Sequence, residues 1–242
     1  MTAAAGVSRA LEANVAAYDA LRGGLRPGMT ETDAYELVRE AVDHVCGAES
    51  HEFAGDFVGG RRTGGIEGPP TDLVLREGDL FICDLLVRRG DWWSDTCRTF
   101  FLGEPSSIRR AAYEALLECM KLGEGMVRPG VVCADVKTAA EDLLFHRGFA
   151  GRMPHHVGHL VGPEPFYEPS FVLEDRSVVE EGWVCTLEPG VYFSDSWGMR
   201  VENDYLVTAD GLVNLFDYPR ALESFVLAGK DGDGAPKGGD EA

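Results

Sequence analysis

The sequence predicts an α+β fold of two related halves about a pseudo-two-fold axis. Three observations predict it. Amphipathic helical segments and apolar strand segments occur in both halves of the 242 residues. A turn-helix-glycine pattern occurs twice. Leu25-Arg26-Pro27-Gly28-Met29 and Val127-Arg128-Pro129-Gly130-Val131 lie 102 residues apart, and Asp33 and Asp135 share that offset. Between the two copies, Asp79 to Phe101 reads as two apolar strands joined by a turn at Arg89-Gly90-Asp91.

In chain order, Leu11, Val15, Tyr18 and Leu21 give a helix over 8–22, which Gly23-Gly24 should stop. Thr30 caps a second helix, with Asp33 three residues on and Leu37, Val38, Ala41, Val42 and Val45 as its apolar face. A short strand covers 53–58, and the Gly/Pro-rich stretch 59–71 is a loop. That loop lacks the Lys-Ser/Thr ending of a phosphate cradle and leads into a strand. After the central hairpin, Ser107 caps a helix to about Met126 with Ile108, Ala112, Leu116, Leu117 and Met120 inward. A fourth helix covers 135–146, ended by Gly148. Strands follow over 183–187, 191–193 and 199–208. The organisation expected is one domain over 1–229 and a polar, Gly-rich, disordered tail over 230–242.

The net charge of −19 argues against nucleic acid or an anionic membrane as a partner, since both need a basic footprint. No apolar run is long enough to span a bilayer, and the N-terminus lacks the basic start and apolar core of a signal peptide. Six scattered cysteines sit inside apolar runs without a Cys-x-x-Cys pair, so reduced core thiols in a cytoplasmic protein are expected.

Each strand of the hairpin carries a carboxylate that a buried strand would not want, Asp84 in one and Asp95 in the other. Burial of a lone carboxylate forces it to pair or to neutralise. Facing each other, the two could share a cation; alternatively one sits at an edge and the other pairs with Arg88 or Arg98. Three further segments supply candidates. Residues 154–159 hold His155, His156 and His159, Glu188 follows an apolar strand, and Glu202 lies among alternating apolar residues. One imidazole and four carboxylates suit a pair of divalent ions, whose charge of about +4 the four carboxylates balance. The single nitrogen favours Mn, Fe, Co or Zn over Ca.

Four motifs then carry a resemblance: Asp84-x10-Asp95-Thr96-x-Arg98-Thr99-Phe100, His155-His156-x-Gly158-His159-x-x-Gly162, Thr186-Leu187-Glu188-Pro189-Gly190-Val191-Tyr192, and Arg200-Val201-Glu202-Asn203-Asp204-Tyr205. Over roughly 8–220 the chain resembles the pita-bread metallopeptidases: methionine aminopeptidase, aminopeptidase P, prolidase and creatinase. The resemblance implies two αβ halves around a curved antiparallel sheet, without the extra N-terminal domain of aminopeptidase P and prolidase. It implies two metal ions, with Asp84 on one, Asp95 and Glu202 bridging both, and His159 and Glu188 on the other. Glu188 is further implied to take a proton from the attacking water, and Arg200 and Thr99 to support the ligands. A short peptide or small molecule is the implied substrate, and a homodimer is suggested by analogy.

The chain departs from that pattern at two places. Peptidase members carry a His before the first Asp strand, where this chain has Glu67. They carry another seven residues after the metal His, where this chain has Phe166, followed by Tyr167 and Glu168, either of which a register shift would bring near that place. Neither a carboxylate nor a phenyl ring donates the same hydrogen bonds. His155 is the surviving candidate for a substrate-facing imidazole, and His156 reads as a solvated neighbour. Three readings follow. The first is a metal-dependent hydrolase of the aminopeptidase P/prolidase kind, with Glu67 recognising a cationic group. The second is a lyase or other small-molecule enzyme on the same centre. The third is a non-catalytic binding module, which retention of all five ligand positions disfavours.

Overall fold

The two copies of the Arg-Pro-Gly turn adopt the same backbone geometry in the computed structural model, which describes residues 2–227. Gly28 and Gly130 both take a positive φ, 92° and 95°, that L side chains rarely adopt. Each donates its N–H to a distant carbonyl, Gly28 to Leu75 at 2.8 Å and Gly130 to Val179 at 3.0 Å. Two residues later each copy makes an isolated antiparallel bridge, Thr30 to Val74 and Val132 to Val178. The repeat seen in the sequence is thus a repeat of hydrogen bonding.

The first half runs α1 (Ala3–Gly24), α2 (Glu31–Cys46), β1 (His51–Gly59), β2 (Leu80–Arg89) and β3 (Trp92–Leu102). The second runs α3 (Ser107–Met126), α4 (Cys133–His146), β4 (His159–Leu160), β5 (Tyr167–Ser170), β6 (Val184–Leu187), β7 (Gly190–Phe193), β8 (Trp197–Arg200), β9 (Asn203–Thr208) and β10 (Gly211–Asn214). β11 (Val226–Leu227) then returns to the first half. Among the described residues, hydrogen bonding divides the strands into three sheets: β1-β2-β3-β11, β10-β9-β6-β4-β5, and the pair β7-β8. All pairs are antiparallel except β11 with β3.

Several expected boundaries shift for local reasons. α1 continues through Gly23 and Gly24 and stops only at Leu25, whose N–H bonds back to Leu21. Thr30 and Asp33 form the reciprocal capping box at α2. α3 is preceded by Ser106 rather than capped by Ser107, and Ile108 is half exposed instead of inward. α4 begins at Cys133, with Val132 making no side-chain cap. The strand expected over 199–208 is broken at Val201-Glu202: β8 pairs with β7, and β9 pairs with β6. The break exists because Glu202 donates its N–H to Cys97 and Val201 donates to Pro189, so the chain changes sheets there. The expected tail over 230–242 lies outside the described residues.

Strand alternation splits the hairpin into two faces. On one face Tyr18 of α1 donates its hydroxyl to the Thr96 carbonyl at 2.6 Å. Asn14 donates to the Leu85 carbonyl and accepts from the Ser94 hydroxyl, both at 2.8 Å. These fully buried polar groups satisfy one another, so α1 is fixed in both position and rotation. The opposite face of the hairpin carries Asp84 and Asp95.

Candidate metal centre

Asp84 lies on β2 and Asp95 on β3, with their side chains on one face. They are not directly opposite as the sequence suggested. Asp84 pairs with Cys97, and Asp95 pairs with Leu86, so the two carboxylates are diagonal neighbours. His159 opens β4, Glu188 follows β6, and Glu202 occupies the gap between β8 and β9. All five line one cavity of about 200 Å³. All five are at least nine-tenths buried, and Glu202 is 1% exposed. Ligand atoms of Asp95, His159 and Glu202 lie within 4.8 Å of one another, as do those of His155, His156 and Glu188.

Neighbouring groups fix this arrangement. Thr186 accepts the His159 backbone N–H at 3.2 Å and donates its hydroxyl to Glu188 at 3.0 Å. A Cβ on Gly158 would stand 2.2 Å from the Thr186 carbonyl, so only glycine allows that approach. Asp204 accepts the Asp95 N–H at 3.0 Å. Thr99 exchanges two hydrogen bonds with the Arg200 backbone, at 2.9 and 3.0 Å. Arg98 is fully buried and faces no carboxylate. It donates to the carbonyls of Glu202, Cys97 and Pro219 at 2.6, 2.8 and 3.0 Å. Arg88 pairs with Glu52 on the surface, so neither arginine is the partner of a cavity Asp. That partner is Arg200, whose guanidinium bonds both Asp84 and Asp56.

Comparison with known proteins decides the family. Residues 5–209 match metallopeptidase family M24. The chain belongs to that family. It is 33% identical over 201 residues to a probable dipeptidase PepE of Mycobacterium bovis, covering 82% of this chain and 52% of the relative. It is 31% identical over 197 residues to the Xaa-Pro dipeptidase of Pyrococcus furiosus, covering 80% and 57%. Among solved structures it resembles the prolidase from Pyrococcus furiosus, with a TM-score of 0.84 and 28% identity over 89% of this chain and 64% of that one. It also resembles the dipeptidase PepE from Mycobacterium ulcerans, with a TM-score of 0.87 and 28% identity over 93% and 60%. The chain therefore has the pita-bread fold and spans about half the length of the curated relatives it matches.

The electrostatics of this M24 cavity are those of a group of anions with too few cations. Burial, and then the neighbouring carboxylates, push Asp95 and Glu202 well above the ordinary carboxyl range. Burial also raises Asp84, against the pull of Arg200. Glu188 behaves oppositely. Burial would raise it, but the adjoining imidazoles, His156 first, outweigh that and hold it far below the usual range. One oxygen of Asp95 and both oxygens of Glu202 are buried without any hydrogen-bond partner. Buried oxygens left bare in this way cost about 1–3 kcal/mol each, and a divalent cation removes that cost. The donor set, one neutral imidazole among carboxylates, thus fits divalent metal.

Two residues read differently in the fold than in the sequence, His156 and Asp56. His156 is not a solvated neighbour: its Nε2 lies 3.0 Å from Glu188. That contact is made with a residue distant in the chain and leaves no local signal in the sequence. His155 lines the cavity, with its Nδ1 2.6 Å from the His156 carbonyl and its Nε2 without a partner. Burial holds it neutral, pushed down to about 3. Asp56 is the residue that sequence reasoning missed. It sits on β1 directly across from Asp84 and lines the same cavity. The available signal was a carboxylate interrupting the strand over 53–58, the same signal that singled out Asp84.

The two departures also acquire positions. Phe166 itself lines the cavity, its ring 4.5 Å from that of His159 and 5.3 Å from that of His156. Tyr167 packs against the core, and Glu168 accepts the Ser170 hydroxyl, so no register shift brings either in as a substitute. Glu67 is exposed and lines the cavity.

Proposed function

We propose that this chain is a hydrolase dependent on two divalent metal ions, cleaving an amide bond of a short peptide in the manner of the Xaa-Pro dipeptidases it resembles. The observation that carries this reading is the convergence of Asp84, Asp95, His159, Glu188 and Glu202 on one cavity, with bare buried oxygens on Asp95 and Glu202. Asp84 would hold one ion, Asp95 and Glu202 both, and His159 and Glu188 the other. Ions so held would supply Lewis acidity to the scissile carbonyl and to the attacking water. Manganese, iron, cobalt and zinc all suit the donor set, and manganese is the first choice for reconstitution.

The chain's own residues do the rest. Glu188, which lines the cavity, takes a proton from the attacking water. His156 shares that carboxylate at 3.0 Å and steadies its negative charge. His155 stays neutral and offers Nε2 to the substrate amide. Phe166 and Leu86 give the cavity apolar wall and exclude water from it. Thr186 holds His159 and Glu188 in register by bonding both.

No helix among the described residues is long and apolar enough to cross a membrane. Six free, buried cysteines support a reducing, cytoplasmic compartment. The test is turnover of Xaa-Pro dipeptides by protein reconstituted with manganese, compared with the Glu188→Ala variant. Hydrolysis lost in the variant is the expected result. Metal binding without turnover of any peptide would overturn the peptidase reading and leave the metal centre.

A further inference from the structure

Glu67 and Asp56 both line the cavity, and neither belongs to the five-residue metal set. Arg200 is the only Lys or Arg lining it among the described residues, and its guanidinium is already committed to Asp84 and Asp56. Glu67 makes no hydrogen bond or ion pair with any described residue, although its chain position is fixed. Asp56 accepts the backbone N–H of the next residue, Gly68, at 2.9 Å, and Gly68 returns its carbonyl to Phe57 at 3.1 Å. The loop is therefore tied to β1 on both sides of that glycine, and Glu67 is presented at the cavity. In the same cavity, Ile66, Leu86 and Phe166 supply apolar wall. The floor of the same cavity is built to receive a ligand, since Glu202 is 1% exposed with both carboxylate oxygens unpartnered.

A carboxylate at the rim and an apolar wall beneath it match one kind of group: a cation on an aliphatic stem. The stem lies on apolar surface while the charged head stays near water. A phenyl face adds to the attraction for a cation. We propose that Glu67, positioned by Asp56, selects peptide substrates whose N-terminal residue carries a basic side chain, arginine or lysine. The proposal rests on the hydrolase reading above and names its substrate class. Glu67 contacts the cation; Asp56 acts through the loop and is a positioning residue.

The experiment compares two dipeptides, arginyl-proline and norleucyl-proline, on the manganese-loaded protein. They share an α-amine and a scissile bond and differ in the side-chain charge. The ratio of kcat/KM should favour the arginyl substrate by about fivefold to tenfold at low salt and shrink toward unity near ~1 M salt. Glu67→Gln should bring the ratio close to one, and Asp56→Ala should lower it through a higher KM for the arginyl substrate. Glu67 is exposed, so the Gln variant should fold, which circular dichroism verifies. Calorimetric binding of both dipeptides to Glu188→Gln protein in saturating manganese, a variant that keeps an oxygen for the ion and lacks the base, gives the same ratio without turnover. If no dipeptide is cleaved but arginyl-proline still binds more tightly in a Glu67-dependent way, the hydrolase reading fails and the subsite stands. Equal kcat/KM for the two dipeptides in the wild type, or a preference that Glu67→Gln leaves intact, would overturn the proposal; the former result would point to the shared α-amine instead.

Discussion

Arg98 donates its guanidinium to the backbone carbonyl of Glu202 at 2.6 Å, across the junction where the chain leaves β8 and enters β9. That contact joins the first half of the chain to the residue that closes the cavity. Arg98 spends its other donors on Cys97, Pro219 and the Asn203 side chain, and the Phe216 ring lies 5.0 Å from its guanidinium carbon. Replacing it with Met leaves several buried carbonyls unbonded. Arg98→Met should lose about 3 kcal/mol or more of stability, measured by urea unfolding. Arg98→Lys should recover only part of that, because an ammonium cannot reach the same fork of acceptors.

Glu202 carries two bare buried oxygens, which should weaken the metal-free protein and, on the proposed reading, serve the metal-loaded one. Glu202→Gln removes a group that the metal-free fold must keep protonated, without changing shape. The metal-free variant should be more stable than wild type by about 1–2 kcal/mol, read by thermal unfolding in chelator. Manganese affinity should fall by at least about a hundredfold, read by calorimetry. Destabilisation in chelator would show that Glu202 has a structural partner.

The pH dependence of the metal-free protein follows from the directions of the shifts. Asp84, Asp95 and Glu202 are raised, so the folded chain keeps protons that the unfolded chain has released. Their effect is to lower stability as pH rises. His156 is also raised, so its contribution is full below its ordinary value of 6.5 and is lost above it. His155 acts in the other sense: pushed down to about 3, it gains stability for the fold up to 6.5 and adds no slope beyond. Glu188 is lowered, and its contribution is complete above the carboxyl range. Above pH 6.5 the remaining slopes of these cavity groups have one sign. In chelator, the melting temperature should fall steadily from pH 6.5 to about 8.5, and saturating manganese should flatten or reverse that fall.

Lys137, 5% exposed on α4, reaches out of the helix to the carbonyls of Met153 and His155, at 3.0 and 2.6 Å. It thereby sets the loop that carries His155 and His156. Lys137→Met should cost about 1–3 kcal/mol, measured by urea unfolding, because both carbonyls lose a charged donor. It should also raise KM more than it lowers kcat, since the metal set itself is held by Thr186 and Arg98. A fall in kcat with KM unchanged would instead place Lys137 in support of the five cavity ligands.

Much of this was legible in the sequence because the physics involved is local. A carboxylate in an apolar strand announces itself, and Asp84 and Asp95 did so without any neighbour being known. The Thr30-Asp33 capping box is likewise written in adjacent residues. What stayed hidden depends on partners far away in the chain. Asp84 finds its cation in Arg200, and His156 finds Glu188 across a loop. The single strand expected over 199–208 is two strands, because Glu202 bonds to Cys97 more than a hundred residues earlier. Asp56 was overlooked because its meaning comes from the register of β1 against β2, where it faces Asp84. Gly23 and Gly24 show the same limit in reverse, since tertiary contacts carry α1 past two residues that an isolated helix would not tolerate.

The central claim is that side chains distant in sequence hold two ions together. Anomalous diffraction from a crystal grown with excess manganese tests it directly. The account predicts two peaks, both within coordination distance of Asp95 and Glu202, one also touching Asp84 and the other touching His159 and Glu188. A map with no manganese in that cavity, or with manganese bound only elsewhere on the surface, would contradict it.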